Sequence, residues 1–236
     1  MNFPFQRLQV ELSALIEKTE AGERLPSEPE LARRMGVSRA TLREAMRTFE
    51  VQGLIRRRQG SGTFVVGRVP VIEAGLEALE SLETMAERLG LEVTVSDLHI
   101  ESLGADAESA AGLGVAPGTA LTRVRRVMRE ESRPVAYLVD TLCEDTLNPE
   151  QLGPDFRGSV LDFLLQRGDL LKVSKAAISA IAAPAPIAKA LQIQRGDVLL
   201  EFVSKLYHED GRVLDFTSSH FIPGFFHFHV VRRIRG

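Results

Sequence analysis

Apolar residues recur every three to four positions in the first quarter of the chain and every second position through much of the rest. Phe5, Leu8, Leu12, Leu15 and Ile16 form one stripe, which predicts a helix over residues 4–20. Gly22 and Pro26 end it. Ser27 and Glu30 have capping-box spacing, with Pro29 tolerated in the first turn, so a short second helix is expected to run through Met35. Gly36 suits the left-handed residue that stops a helix, and Ser38 suits the N-cap of the next. In that third helix Leu42, Ala45, Met46 and Phe49 share a buried stripe. Arg39, Arg43 and Arg47 recur every four residues on another face, with Thr41 beside them. Two helices joined by a tight glycine-containing turn make a helix-turn-helix.

The period then changes. Residues 54–58 and 63–66 read as two short strands around Gln59, Gly60, Ser61 and Gly62, a hairpin whose first strand carries Arg56, Arg57 and Arg58. A basic hairpin directly after a helix-turn-helix is a wing. Arginine forks suit guanine edges and phosphates, so the arginine face and the wing together point to DNA. Charge distribution sharpens this. The whole chain is at −3, but residues 1–66 carry eleven Lys/Arg against eight Asp/Glu, and the remainder eighteen against twenty-four. A basic front on an acidic body suits a small DNA-contacting module attached to a larger part with another task.

Gly67 to Pro70 reads as a connection, and the expected division is 1–66, a linker at 67–72, and a second domain at 73–236. Leu76, Leu79, Leu82, Met85 and Leu89 predict one helix, ended by Gly90. Beyond it lie alternating strands and two Ala-rich helices. A shift of 78 positions aligns residues 93–142 with 171–220 without a gap and gives ten identities, among them Ile100 with Ile178, Gly118 with Gly196 and Leu121 with Leu199. Each unit runs strand, helix, strand, strand. Two such units are expected to join into one antiparallel sheet with helices on one side, and a helix at 158–167 links them. A last strand is expected over 225–234. The fold class is therefore α+β.

Alternation in the strand 119–129 places Arg126 on the covered face between Val124 and Met128. A buried arginine needs an anionic partner. Either an internal carboxylate such as Asp140 or Asp215 supplies it, or an anionic ligand does. The aligned residue in the second unit is Ser204, and this asymmetry favours the ligand. Ser159 caps the helix at 160–167, whose free amides are a second place for an anion. The single cysteine, Cys143, excludes an internal disulfide and suits a reducing cytoplasm. Acidic residues in the first helix argue against a signal peptide, and no apolar run is long enough to span a membrane. His227 and His229 share one strand face without metal-ligand spacing. No nucleotide, hydrolase or metal motif is present, so neither cofactor nor metal is expected.

Several blocks carry a resemblance. Leu25-Pro26-Ser27-Glu28, Glu30-Leu31-Ala32, Val37-Ser38-Arg39, Thr41-Leu42-Arg43-Glu44-Ala45, Gly53-Leu54-Ile55 and Arg58-Gln59-Gly60-Ser61-Gly62-Thr63-Phe64-Val65 closely resemble the winged helix-turn-helix of the GntR family of bacterial transcription regulators. The C-terminal part resembles the UTRA effector domain of the HutC-type branch, which shares its fold with chorismate lyase. The resemblance implies operator contacts by Ser38, Arg39, Thr41 and Arg43, with Arg57 a further phosphate contact, and a wing tip at Gly60, Ser61 and Gly62 that enters the minor groove. It implies an effector site that includes Arg126, Ser159, Asp215 and Ser81. The chain departs from the family pattern where Pro29 replaces an arginine, Met128 the second arginine of an Arg-x-Arg site, Asp215 a glutamate and Phe221 a tyrosine. A homodimeric repressor in the cytoplasm, released from DNA by a small anionic metabolite, is the function implied. The rival is a chorismate-lyase-like enzyme fused to a DNA-binding module.

Overall fold

A computed structural model of the protein describes residues 4–58, 60–66, 72–88, 90–153 and 156–230. The chain divides into two compact units, residues 1–71 and 72–236. Of the expected linker, residues 67–71 lie outside the described part, as does Gln59 in the wing.

The first unit contains helices α1 (Pro4–Lys18), α2 (Glu28–Arg34) and α3 (Arg39–Val51), then strands β1 (Ile55–Arg58) and β2 (Gly62–Val65). Its core gathers Leu8, Leu12 and Ile16 from α1, Leu31 and Ala32 from α2, and Leu42, Ala45, Met46 and Phe49 from α3. Ile55 and Val65 lock the hairpin onto the helices. Each fully buried side chain of this size contributes roughly 1.5–3 kcal/mol, which is what holds three short helices that would be marginal alone. Gly36, at φ +68°, makes the turn between α2 and α3. Ser38 accepts the amide of Thr41 at 3.1 Å and starts α3. Ser27 occupies the cap position of α2, but its side chain makes no cap hydrogen bond, so the expected capping box does not form. The start of α2 relies instead on Pro29 and on the acidic Glu28 and Glu30 in its first turn.

The second unit is built on a six-stranded sheet. Its strands are β4 (Val93–Gly104), β5 (Ala120–Glu130), β6 (Arg133–Cys143), β7 (Leu171–Ala182), β8 (Val198–His208) and β9 (Val213–Phe221), in the order β4-β5-β6-β9-β8-β7. All neighbours are antiparallel. The repeat units β4-α5-β5-β6 and β7-α7-β8-β9 therefore meet through β6 and β9, where α5 spans Ala107–Leu113 and α7 spans Ala185–Ala190. Helix α6 (Val160–Arg167) packs Val160 and Leu164 on Val124, Leu142 and Leu206. Helix α5 packs Ala110 and Leu113 on Leu121, with Phe216 and Cys143 against them. Val124 and Leu121 point to opposite faces of β5, so the helices cover both sides of the sheet and not one.

Two local expectations are corrected. The stripe from Leu76 to Leu89 is not one helix: β3 (Ile72–Gly75) comes first, and only Leu82–Arg88 form α4. The last strand is short, β10 (Phe226–His229), and it pairs in parallel with β3 in a separate two-stranded sheet. Phe226 and Phe228 contact Phe221, at ring-centroid distances of 4.9 Å, and Phe228 lies 4.4 Å from Phe202. This aromatic group closes the end of the sheet face opposite α6. Between the two closures lies a polar row.

Candidate DNA and effector sites

The exposed face of α3 carries Arg39, Thr41 and Arg43, with Ser38 and Thr41 hydroxyls 2.8 Å apart at its start. The Arg43 Nε donates to Glu28 Oε2 at 2.6 Å. Arg57, from β1 of the wing, places Nη2 3.1 Å from the other oxygen of the same carboxylate. Glu28 thus ties the third helix to the wing and brings two of the expected DNA residues to one side of the unit. The Arg43 side chain remains 54% exposed, so its guanidinium is available to another anion. Gly60 and Ser61 are exposed at the hairpin tip, where the Ser61 amide donates to the Arg58 carbonyl at 3.0 Å, and Gly62 is half-buried over Arg24. Glu28 was not among the residues singled out from sequence. Only the distance between α2 and α3 reveals it, because the two partners are fifteen positions apart.

The expected effector residues converge in the second unit. Arg126 is 5% exposed. Its Nη1 donates to Asp140 Oδ2, and its Nε donates to Glu83 Oε1 at 3.2 Å. Burial alone would lower its pKa, but the charges of Asp140 and Glu83 outweigh that and the pKa is raised. The expectation of an arginine waiting unpaired for a ligand does not hold: the internal-carboxylate alternative is realised, with Asp140 and Glu83 as partners. Such burial without counter-charges would be too costly. Asp215 accepts the Thr141 amide at 3.1 Å and hydrogen-bonds Asp140. Burial first, then the neighbouring Asp140 charge, push its pKa well above the ordinary carboxylate value. Asp215 therefore holds a proton and donates it to Asp140.

Ser81 and Ser159 meet at a third carboxylate. The Ser81 hydroxyl donates to Asp162 Oδ2 at 2.6 Å, and the Asp162 amide donates to Ser159 Oγ at 3.2 Å, where Ser159 caps α6. Thr84 on α4 adds a 3.3 Å bond to Asp162 Oδ1. Ser81 and Glu83 lie at the start of α4, so this one helix end reaches both the serine pair and Arg126. Gly158 joins them too. A Cβ there would sit 2.7 Å from the Arg126 Cδ, and its φ of +102° excludes most other residues. All four expected residues thus belong to one network, together with Glu83, Asp140 and Asp162. In register, Asp140, Thr217 and Ser204 lie side by side across β6, β9 and β8, and extend the polar row. Glu83 escaped the sequence reading because the helix boundary was placed too early.

Residues 88–226 match the family model for the UTRA domain, and residues 6–65 match that for bacterial regulatory proteins of the gntR family. The chain belongs to the GntR family and carries a UTRA domain. It is 31% identical over 181 residues to the histidine utilization repressor of Pseudomonas aeruginosa, covering 75% of this chain and 70% of that protein. It is 27% identical over 206 residues to the mannosyl-D-glycerate transport/metabolism system repressor MngR of Escherichia coli K12, covering 85% and 82%. The crystal structure of PhnF from Mycobacterium smegmatis shares the fold, with a TM-score of 0.66 at 23% identity over 97% of this chain and 100% of that one. A GntR-family regulator with this composition is a DNA-binding, effector-responsive transcription regulator. Among the described residues no helix is long and apolar enough to cross a membrane. Among the same residues no group of three or more His, Cys, Asp or Glu is placed to hold a metal.

Proposed function

We propose that this GntR-family regulator, of the HutC-type branch, is a homodimeric repressor that works in the cytoplasm. The observation that carries the DNA reading is the meeting of Arg43 from α3 and Arg57 from the wing at Glu28. Each copy lays α3 in the major groove of one half-site, with Arg39, Thr41 and Arg43 toward bases and phosphates. The wing tip at Gly60, Ser61 and Gly62 enters the adjacent minor groove, and Arg57 holds phosphate. Residues 67–72 link the DNA-binding part to a C-terminal part that dimerises.

The effector is a small anionic metabolite. Its anion takes the Nε side of Arg126 by displacing Glu83, and Ser81 and Ser159 line the same place. Asp140 and Asp162 remain beside it, so they favour a ligand that carries a hydroxyl or ammonium donor next to its anion. Displacement of Glu83 moves the start of α4, the first helix after the linker, and this shifts the balance between DNA-competent and DNA-incompetent forms. The rival enzyme reading requires an accessible acid or base. Asp215, whose pKa is raised, is only 2% exposed and has its hydrogen bonds inside the protein.

Selection of binding sites from a random duplex pool tests the DNA part. It is expected to return paired half-sites, and Arg43→Ala is expected to cost about 1–3 kcal/mol on them and to relax specificity. Unchanged binding by that variant removes α3 from the reading. A thermal-shift screen of small metabolites tests the effector part, since a ligand at a hundredfold its dissociation constant adds roughly 2.7 kcal/mol of stability. Conversion of chorismate to product would establish the rival.

A further inference from the structure

The six-stranded sheet has two edges, and they are built differently. At one edge β4 carries Asp97, His99 and Glu101, and its register with β5 shifts between Ser96 and His99. Asp97 sits at φ +50° within that irregularity, and the nearby charges are engaged, Glu101 with Arg125 at 2.9 Å and Asp97 with Arg129 at 3.5 Å. Charges and a bulge are how a sheet edge is kept from pairing with another chain.

The opposite edge, β7, has neither device over most of its length. From Val173 to Ala182 its register with β8 is unbroken. The run from Ala176 to Ala182 contains no charged residue. Side chains on both faces are open: Val173 is 54% and Ile178 49% exposed, and Ala176, Ala177, Ser179 and Ala180 are exposed as well. Among the described residues, no strand pairs on its outer side. A long, flat, largely apolar edge of this kind is stable in solution only when something adds to it.

We propose that the occupant is β7 of a second copy of this chain, paired antiparallel across a two-fold axis at Ser179, so that one sheet runs through both copies. This rests on the dimeric reading above and gives it a surface. Three features of the sequence fit a self-pair at this register. First, an antiparallel edge is complementary to itself under a two-fold rotation, as a closed dimer requires. Second, with Ser179 opposite Ser179, Ile178 faces Ala180 and Ile181 faces Ala177, so each large side chain meets a small one. Third, Lys172 and Lys175 fall beyond the ends of the charge-free run, and the two Lys175 residues stand roughly 25 Å apart, at about 3.3 Å per residue along the strand. An axis at Lys175 would oppose like charges directly. The same axis brings the two copies of Ser179 to about 4.5–5.5 Å between Cα atoms, within reach of a disulfide.

The test uses the full chain with Cys143→Ser as background, so that one cysteine is present at a time. Ser179→Cys is expected to give a cross-linked dimer under mild oxidation, and His99→Cys, on the opposite edge, is expected to give none. Ile178→Lys, at a half-exposed position, is expected to leave the melting temperature of the subunit unchanged while the dimer dissociation constant rises at least tenfold by sedimentation. A wild-type dimer in which Ser179→Cys fails to cross-link and Ile178→Lys has no effect overturns the β7 surface and leaves the dimeric reading standing. A wild-type monomer at micromolar concentration overturns both.

Discussion

Arg43 in the first unit and Arg126 in the second each meet a glutamate from the start of a neighbouring helix. Arg43 meets Glu28 of α2, and Arg126 meets Glu83 of α4. Their surroundings separate them. The Arg43 side chain is 54% exposed, and water screens its pair, so the interaction contributes little and exchanges readily for a phosphate or a guanine edge. The Arg126 side chain is 6% exposed and has a second carboxylate, Asp140, which itself leans on the protonated Asp215. There the charges stabilise one another in a medium that does not forgive a missing partner. The same pair of residue types is a loosely held placeholder at the surface and a structural element inside. Of the two glutamates, only Glu83 must leave a buried seat before a ligand can enter.

Breaking the buried arrangement tests this most severely. Arg126→Ala strands Asp140 and Glu83 without their counter-charge, and is expected to destabilise the second unit by about 3–5 kcal/mol. Denaturant unfolding of the full chain should show that transition move while the transition of the first unit stays in place. A melting profile like wild type would mean that Arg126 is held as loosely as Arg43, and the contrast between the two sites would be lost.

A smaller effect comes from Asp215→Asn, which keeps a donor toward Asp140 and an acceptor for the Thr141 amide but cannot ionise. Asp215 has a folded pKa raised above its unfolded value. Its contribution to stability is therefore complete below the unfolded pKa and is lost as pH rises through the folded one. The variant is spared that loss. Its melting temperature is expected to match wild type in acid, and its advantage is expected to grow as pH rises above about 4, the ordinary range for aspartate. A difference that does not vary with pH would show that Asp215 ionises normally.

The smallest effect is expected at the surface pair. Glu28→Gln removes the charge that competes for Arg43 and Arg57. Stability should fall by no more than about 1 kcal/mol. Affinity for duplex DNA should rise by less than about tenfold, the equivalent of about 1.4 kcal/mol, most visibly at low salt. Weaker DNA binding by this variant would reverse the reading of Glu28 from placeholder to support, since the carboxylate would then be needed to orient Arg43 in the complex.

What the sequence determined by itself was what short-range periodicity and repetition can encode. The stripe of Leu42, Ala45, Met46 and Phe49 set the buried face of α3 and so, by exclusion, the arginine face. The spacing of glycines set the turns at Gly36 and around Gly60. The 78-residue repeat set the pairing of two equivalent units into one sheet, and alternation along β5 put Arg126 inside. The tertiary structure decided everything that depends on residues far apart in the chain. Leu76 and Leu79 kept helical spacing with Leu82 and Met85, but β10, about 150 residues later, offered the preceding segment a strand partner, and the backbone there pairs instead of coiling. A sheet face shows no preference for one helix over another in sequence, so the coverage of both faces by α5 and α6 became visible only from their packing. The partner of Arg126 was undecidable from spacing for the same reason: Asp140 and Glu83 lie 14 and 43 positions away, and only the folded backbone brings both carboxylates to one guanidinium.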